Sequence, residues 1–272
     1  MVPRKGGMMD LKIKNQIALV TGSTAGIGFA IAQGLAQEGA TVYVNGRTEE
    51  RVSQAISRIE QSGVPGTLKP AVFDFSNAVD TEKFIQEVNH LDILINNLGY
   101  YEAKDFEDIT DEDWMKIFEV NVLSGVRLSR AYLPKMLKHK AGRIIFISSE
   151  SAVQIPVEMI HYGMTKTAQV AIARGLAEKT AHTAVTVNSI LVGPTRSEGV
   201  ETFIHQLAKN KNQEIERVEQ EFFKTTRPTS LLQRFETTEE IAHFVVFISS
   251  PLASGVNGAA LRVEGGLLRS IL

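Results

Sequence analysis

The chain of 272 residues is long enough for one α/β domain with a large sheet. Its formal net charge of −2, from 29 basic and 31 acidic residues, gives no electrostatic footprint for nucleic acid or an anionic membrane, so we expect neither partner. The sequence contains no cysteine, which excludes disulfides, thiolate metal sites and a cysteine nucleophile and fits a cytoplasmic location.

The first residues, 1–10, are basic, and the apolar segment of a secretory signal does not follow them. We interpret them as a flexible leader and 11–272 as a single domain. No uninterrupted apolar stretch approaches the roughly 20 residues that a membrane span requires. We therefore expect a soluble protein.

Short apolar runs alternate with helical patterns along the chain. The run from Ile17 to Val20 ends in a glycine-rich turn, and a periodic helical stretch and the run TVYVNGR follow it. Further helices are expected at about 48–61, 81–88, 111–138 and 162–180, with strands at LKPAVFDF, LDILINN, RIIFISS and VTVNSILV. This alternation predicts an α/β fold with a doubly wound parallel sheet, covered by helices on both faces.

The segment 195–236 interrupts this rhythm. It is rich in charge and carries an apolar residue at every third or fourth position, which predicts a helical insertion that forms a lid over the substrate. A last helix, TTEEIAHFVVFISS, and a strand near AALRVEG follow the insertion.

The turn after the first strand reads TGSTAGIG and contains Gly22, Gly26 and Gly28. Glycines there allow a tight turn, the close approach of a pyrophosphate and close packing of helix on strand, while the helix N-terminus offers amides to phosphate. Glycines that simply end a strand are the alternative. The G-x-x-x-G-x-G spacing resembles that of the short-chain dehydrogenase/reductase family, and the resemblance extends along almost the whole chain.

This resemblance implies a Rossmann-type sheet and a nicotinamide dinucleotide cofactor. Asp74 follows the third strand, where the family has an acid that contacts the adenine ring, although it could also be a turn aspartate. The implied cofactor contacts are Gly22, Ser23, Thr24, Gly26, Ile27, Gly28, Arg47, Asp74, Phe75, Asn97, Gly99, Tyr162, Lys166, Gly193 and Thr195.

The end of the second strand bears on the choice between NAD(H) and NADP(H). Gly46 stands where NAD-preferring members carry an acid, and Arg47 follows it. An acid would repel a 2′-phosphate, whereas Arg47 could pair with it, so we expect NADP(H) to be preferred. Ala25, where many NADP-binding relatives have a second basic residue, weakens this expectation, and Arg47 as a solvated turn residue is the alternative.

Tyr162 and Lys166 are four residues apart, which on a helix puts both side chains on one face. A nearby ammonium lowers the pKa of a phenol, so the pair is suited to proton transfer. Ser149 lies thirteen residues before Tyr162, at the end of RIIFISS, where its hydroxyl could donate to a substrate oxygen. The same spacing in the family favours Ser149 over Ser148.

Asn121, in EVNVLSG, completes a match to the family's tetrad of Tyr, Lys, Ser and Asn, although taken alone it could equally cap or kink a helix. The resemblance implies an oxidoreductase that interconverts a small-molecule alcohol and carbonyl by hydride transfer. Asn121 would support a proton path to Lys166, which would also hold the nicotinamide ribose. A catalytically silent cofactor-binding regulator or scaffold is the alternative.

Other chemistry lacks its motifs. Ser149 has no G-x-S-x-G elbow, and the six histidines show no metal-ligand spacing, so we expect no hydrolase and no metal. Leu98 replaces the alanine of the family's N-N-A-G, and Val192 replaces a proline in its N-x-x-x-P-G loop, which puts fine geometry in doubt.

The substrate is left open by the sequence. The apolar residues after Ser149 suggest a mainly apolar pocket; they are Val153, Ile155, Pro156, Val157 and Met159. Apolar residues at helical spacing are more often core, which is the alternative. The resemblance implies a homotetramer, with a homodimer as the second choice.

Overall fold

Seven parallel strands form one sheet in the computed structural model, which describes residues 9–211 and 213–271. The strands are β1 (Ile17–Val20), β2 (Thr41–Gly46), β3 (Thr67–Val72), β4 (Ile93–Asn96), β5 (Ala141–Ser149), β6 (Ala184–Val192) and β7 (Ala260–Val263). Residues 1–8, most of the predicted leader, lie outside the described residues, as do 212 and 272.

Nine α-helices are found in the described part of the chain. They are α1 (Gly26–Gln37), α2 (Glu49–Gln61), α3 (Ala78–Glu87), α4 (Asp111–Phe118), α5 (Ser124–His139), α6 (Ile160–Glu178), α7 (Glu198–Lys211), α8 (Ile215–Thr225) and α9 (Thr238–Ser249). None of the described helices is long and apolar enough to cross a bilayer.

The strand order is β3-β2-β1-β4-β5-β6-β7, and the predicted doubly wound sheet is confirmed. The order reverses between β1 and β4, and in such sheets ligands bind at the carboxyl ends of the strands beside this point. β5 and β6 are buried along almost their whole length, as expected for central strands covered on both faces.

An apolar cluster lies on each face of the sheet. One contains side chains of α1, α2 and α9, and the other contains side chains of α3, α5 and α6. Each fully buried Ile or Leu in these clusters stabilises the fold by about 1.5–3 kcal/mol. α1 and α9 approach so closely that a Cβ at Gly34 would lie 2.9 Å from Val246 Cγ2.

The helix expected over 111–138 is interrupted. α4 is followed by a π-helical turn, Glu119–Leu123, before α5 begins at Ser124. The wider turn frees backbone carbonyls from the regular α-helical hydrogen bonds. The Gln169 side-chain amide donates to the backbone carbonyl of Asn121 at 2.6 Å. Such π-turns are frequent at functional sites.

The segment 195–236 folds into α7, α8 and a loop that leads to α9. Its apolar side chains form a cluster of their own that includes Ile204, Val218, Phe223 and Phe235. Its two ends meet, because Thr195 and Glu236 form a parallel bridge and the Glu236 amide donates to the Pro194 carbonyl at 2.9 Å. Both ends of this segment are therefore anchored beside the end of β6.

Glu236 carries an unusual carboxyl group at this anchor. It is 4% exposed, and one of its oxygens accepts from the Gly193 amide at 3.2 Å. Burial raises the pKa of Glu236 to about 7, and Glu240 and Glu264 add to the rise, while the Gly193 amide and Arg234 oppose it.

We predict that Glu236→Gln stabilises the protein at alkaline pH. The folded state holds this proton more tightly than the unfolded chain, so the wild type loses stability as pH rises from about 4.5 through about 7. The glutamine removes this loss. The difference in melting temperature between the variant and the wild type should be larger at pH 8 than at pH 5, by roughly 2–5 °C in favour of the variant.

The exposed Glu239→Gln on α9 is the matched control for the loss of one negative charge. It should give no gain at pH 8. An equal difference between Glu236→Gln and the wild type at pH 5 and pH 8 would contradict the assignment.

Candidate active site

A reciprocal pair of hydrogen bonds fastens α6 to the carboxyl end of β5. The Lys166 ammonium donates to the Ile147 carbonyl at 2.9 Å, and the Ser148 hydroxyl donates to the Lys166 carbonyl at 2.9 Å. Ser148 is therefore engaged in structure, and Ser149 is the serine at this strand end that lines the cavity beside Tyr162.

Ser149 is 5% exposed, and its neighbour Glu150 was not predicted to be a site residue. Its hydroxyl donates to the carboxylate of Glu150 and accepts from the Ser151 amide at 3.1 Å. The same Glu150 oxygen accepts from the Ser151 hydroxyl at 2.8 Å. The proton expected to point at a substrate thus points at Glu150, and a substrate oxygen must compete with that carboxylate for it.

The pKa of Tyr162 is raised, and the lowering expected from Lys166 is not found. Burial is the largest cause, Glu150 adds to it, and a hydrogen bond with Ser149 opposes it. Burial also lowers the pKa of Lys166 to about 8, against the attraction of Glu150. Tyr162 therefore holds its proton at neutral pH, which suits a proton donor.

Lys166 is 5% exposed and lies beside the Tyr162 ring, with its ammonium 5.6 Å from the ring centroid. Gln169 accepts from that ammonium at 3.3 Å. Because the same Gln169 side chain donates to the Asn121 carbonyl, it links the π-turn to Lys166.

Asn121 is 1% exposed, and its side chain is fixed by three hydrogen bonds. Its Oδ1 accepts from the Tyr100 amide at 2.9 Å, while its Nδ2 donates to the Tyr100 carbonyl at 2.9 Å and to the Thr165 hydroxyl at 3.1 Å. A Cβ at Gly99 would lie 3.3 Å from Asn121 Oδ1 and 3.6 Å from Lys166 Nζ. The four predicted residues are thus joined through β5, α6 and the π-turn.

The glycine turn has the shape that a dinucleotide phosphate requires. Gly22 and Gly26 have φ values of +60° and +58°, in the left-handed region that favours glycine. A Cβ at Gly28 would lie 2.4 Å from the Gly22 carbonyl oxygen, so only glycine fits at the start of α1. Asn97 braces the turn, since its Nδ2 donates to the Thr21 and Gly22 carbonyls at 2.9 and 3.1 Å. These residues fit a bound dinucleotide.

Two of the predicted cofactor contacts have side chains committed to the interior. Ser23 is 0% exposed, and its hydroxyl donates to the Val20 carbonyl at 2.7 Å. Phe75 is 1% exposed and packs against Phe84, with ring centroids 5.1 Å apart. Asp74 remains at the turn after β3, where its Oδ1 accepts from the Ser76 hydroxyl at 2.6 Å.

The residues at the end of β2 bear on the choice between the two nicotinamide cofactors. A Cβ at Gly46 would lie 2.5 Å from Thr24 Cγ2, so the space of an acidic side chain is already filled. Arg47 is exposed directly after the strand, and it forms no ion pair with any residue in the described ranges. This guanidinium is available to an anion.

The loop after β6 closes the other side of the site. Gly193 lies against Glu236 and Glu264, and its carbonyl accepts from the Thr195 hydroxyl at 2.9 Å. Val192 and Ile27 line the cavity, whereas Leu98 lies beside Gly22 and packs into the cluster of α3, α5 and α6. The substitution at Leu98 therefore affects the floor of the glycine turn.

A cavity of about 580 Å³ connects these elements. Ser149 and Tyr162 line this cavity, and so do Val200, Ile204 and Phe222 of the insertion. The expectation of a mainly apolar pocket is confirmed, but the residues expected to build it, those after Ser149, contribute little of the lining.

Of the five apolar residues expected to build the pocket, Met159 alone lines the cavity. Val153 and Val157 are 54% and 81% exposed, because this segment forms 3-10 turns at the surface.

Four charged residues that line the cavity were not predicted from the sequence: Glu150, Glu158, Glu221 and Arg227. Arg227 Nε donates to Glu150 at 3.0 Å, and Nη1 donates to Glu158 at 3.4 Å. A charge directly after Ser149 was a usable signal for Glu150, but Arg227 is 77 residues away from it in sequence. Within the described ranges, no three His, Asp or Glu side chains form a group that could hold a metal ion.

The chain matches known proteins along nearly its whole length. The family model for short chain dehydrogenase matches residues 16–208. The uncharacterized oxidoreductase YvaG of Bacillus subtilis (strain 168) is 49% identical over 97% of this chain and 100% of its own length. The 3-oxoacyl-[acyl-carrier-protein] reductase FabG of Aquifex aeolicus (strain VF5) is 30% identical over 95% of this chain and 100% of its own.

Among solved structures, the L-sorbose reductase of Gluconobacter frateurii, complexed with NADPH and L-sorbose, is similar with a TM-score of 0.91 and 28% identity. The match covers 97% of this chain and 100% of that one. With the parallel sheet and the glycine turn, these matches establish that the chain belongs to the short-chain dehydrogenase/reductase family of NAD(P)-dependent oxidoreductases.

Proposed function

We propose that the protein is an NADP(H)-dependent reductase that interconverts an alcohol and a carbonyl compound by hydride transfer. The observation that carries the proposal is the meeting of Ser149 and Tyr162 in one cavity, with Lys166 buried behind the tyrosine and the glycine turn alongside. The proposed catalytic residues are Asn121, Ser149, Tyr162 and Lys166.

The geometry supports a mechanism in the direction of reduction. Tyr162 keeps its proton at neutral pH and can donate it to the carbonyl oxygen as charge develops there. Ser149 donates a second hydrogen bond to that oxygen when the substrate displaces Glu150 as its acceptor. When bound, the nicotinamide supplies the hydride that goes to the carbonyl carbon. One proton and one hydride convert the carbonyl into the alcohol.

Lys166 and Asn121 support the groups that take part in this step. The buried ammonium lies beside the Tyr162 ring, and its hydrogen bonds with the Ile147 carbonyl and Gln169 hold it there. Asn121 and Gln169 hold the π-turn against α6, so that the ammonium keeps its place beside the cofactor cleft.

We infer a preference for NADP(H) from Arg47 and Gly46. The exposed guanidinium is placed to form charged hydrogen bonds with a 2′-phosphate, and Thr24 fills the space of the acid that would hold the ribose hydroxyls of NAD. The NADPH bound to the L-sorbose reductase of similar fold supports this choice.

The predicted cytoplasmic location and homotetramer belong to the proposal as well. Phe106, just before α4, is 56% exposed, and Met115, on α4, is 64% exposed. Both would supply apolar surface to an interface between copies.

We predict that Tyr162→Phe lowers kcat for ketone reduction by roughly 10²–10⁴-fold, because it removes the proton donor and leaves the ring in place. The binding of NADPH should change by less than about threefold, since the ring and Lys166 still border the cleft. The measurement is the steady-state oxidation of NADPH with a panel of ketones and aldehydes.

Tyr43→Phe is the control for the loss of a phenol, because Tyr43 packs among core residues on β2. Equal rates in Tyr162→Phe and the wild type would contradict the assigned role. If the wild type bound NADPH tightly and turned over no carbonyl compound, the silent regulator would be the better account.

We predict that Arg47→Ala weakens NADPH binding by roughly 10–100-fold, as expected for the loss of charged hydrogen bonds of about 1.5–3 kcal/mol. NADH binding should stay within about threefold, because NADH lacks the 2′-phosphate. Fluorescence titration of the nicotinamide measures both affinities. Arg174→Ala, an exposed arginine on α6 that pairs with Glu178, is the control, and tighter binding of NADH than of NADPH by the wild type would overturn the preference.

A further inference from the structure

Both apolar and polar side chains line the cavity. Ile27, Val192 and the loop 193–195 border the cleft between the glycine turn and the end of β6, where the proposed cofactor would cover them. The remaining lining consists of apolar side chains, among them Met159, Val200, Ile204 and Phe222, and of groups that form hydrogen bonds, which include Tyr101, Glu150, Ser151, Glu158, Thr226 and Arg227.

Arg227 reaches the cavity from a fixed position after α8. Its amide donates to the Phe222 carbonyl at 3.0 Å, and its carbonyl accepts from the Ser230 amide at 3.2 Å. The side chain is 11% exposed. Because both ends of the residue are held, the guanidinium has a defined orientation above Glu150.

Two carboxylates and one carbonyl accept hydrogen bonds from the guanidinium. Nε donates to Glu150, while Nη1 donates to Glu158 and, at 3.0 Å, to the Thr226 carbonyl. Nη2 donates to none of the residues in the described ranges. Since Arg227 lines the cavity, this donor group is available to a ligand there.

A nearly buried donor without a partner constrains the ligand. An apolar substituent at Nη2 would leave the group unsatisfied, which costs about 1–3 kcal/mol. A site built in this way rejects an analogue that lacks the matching oxygen. The part of the substrate next to the reacting carbon should therefore carry an oxygen.

The local charge decides which kind of oxygen is favoured. Glu150 and Glu158 together carry more negative charge than Arg227 neutralises. A substrate carboxylate would be a third anion around one cation, and like charges at this range repel strongly when they are partly buried. A neutral hydroxyl can accept from Nη2 and also donate to a glutamate oxygen.

We propose that Arg227 is a specificity-determining residue that binds a hydroxyl oxygen of the substrate, and that the substrate is a neutral polyhydroxy ketone or aldehyde. The proposal rests on the carbonyl reduction proposed above. Glu150 and Glu158 hold the guanidinium in place, and Glu158 also disfavours an acidic substrate.

The test compares three carbonyl compounds of four carbons: erythrulose, butanone and α-ketobutyrate. For each, kcat/KM is measured with NADPH in the wild type, Arg227→Met and Arg227→Lys. The ratio of erythrulose to butanone is the kcat/KM for erythrulose divided by the kcat/KM for butanone. Comparing this ratio between variants cancels the intrinsic reactivity of each carbonyl. Arg227→Lys keeps a cation beside Glu150, so the test can still be made with this variant if Arg227→Met folds poorly.

We expect the ratio of erythrulose to butanone to fall by roughly 10–100-fold in Arg227→Met and by a smaller factor in Arg227→Lys. Lys224→Met removes a positive charge three residues away, on the exposed side of α8, and should leave the ratio within about twofold. Glu158→Gln should raise the ratio of α-ketobutyrate to erythrulose. A ratio of erythrulose to butanone that is the same in all variants would overturn the proposal.

A binding measurement separates this proposal from the proposed reaction. Calorimetry with the polyol erythritol requires no turnover, and its affinity should fall in Arg227→Met and exceed that of α-hydroxybutyrate in the wild type. Erythritol binding that depends on Arg227, without reduction of any ketone, would support this site and overturn the proposed reaction. Reduction of ketones by a wild type that prefers butanone or α-ketobutyrate would support the proposed reaction and overturn the proposed role of Arg227.

Discussion

The structure of the site depends on the hydrogen bonds that join Lys166 to the end of β5. Lys166 donates to the Ile147 carbonyl, and Ser148 donates to that of Lys166. Ser149 follows Ser148 directly, and Tyr162 lies one helical turn before Lys166, so this clamp fixes the serine and the tyrosine against each other. Burial of the ammonium lowers the Lys166 pKa to about 8 and is tolerated because Ile147 and Gln169 accept its hydrogen bonds.

Charge is distributed unevenly around this clamp. Burial raises the pKa of Tyr162, Glu150 reinforces the rise, and Arg227 offsets part of it. The carboxylate after Ser149 thus competes for the serine proton, helps Tyr162 to stay protonated and anchors the arginine contributed by the insertion. The insertion 195–236 is therefore coupled to the reacting groups through one ion pair, in addition to its anchor at Thr195 and Glu236.

Features that depend on local sequence were predictable. The glycine turn is dictated by backbone conformation, since Gly22 and Gly26 lie in the left-handed region. The central strands β5 and β6 contain short apolar runs, such as residues 144–147 and 190–192. Features that depend on distant contacts were not. The π-turn at Asn121 requires Gln169 of another helix, and the Glu150–Arg227 pair requires the folded insertion. Val153 and Val157 misled because apolar residues in surface turns resemble a pocket wall in sequence.

Transfer of hydride from the cofactor to the substrate carbon is the central claim, and isotopic labelling tests it most directly. The protein is incubated with erythrulose and NADPH that carries deuterium at both positions of nicotinamide C4, and the alcohol is analysed by mass spectrometry. The account predicts one carbon-bound deuterium in each product molecule, at the former carbonyl carbon. An alcohol that forms without deuterium on carbon would contradict it.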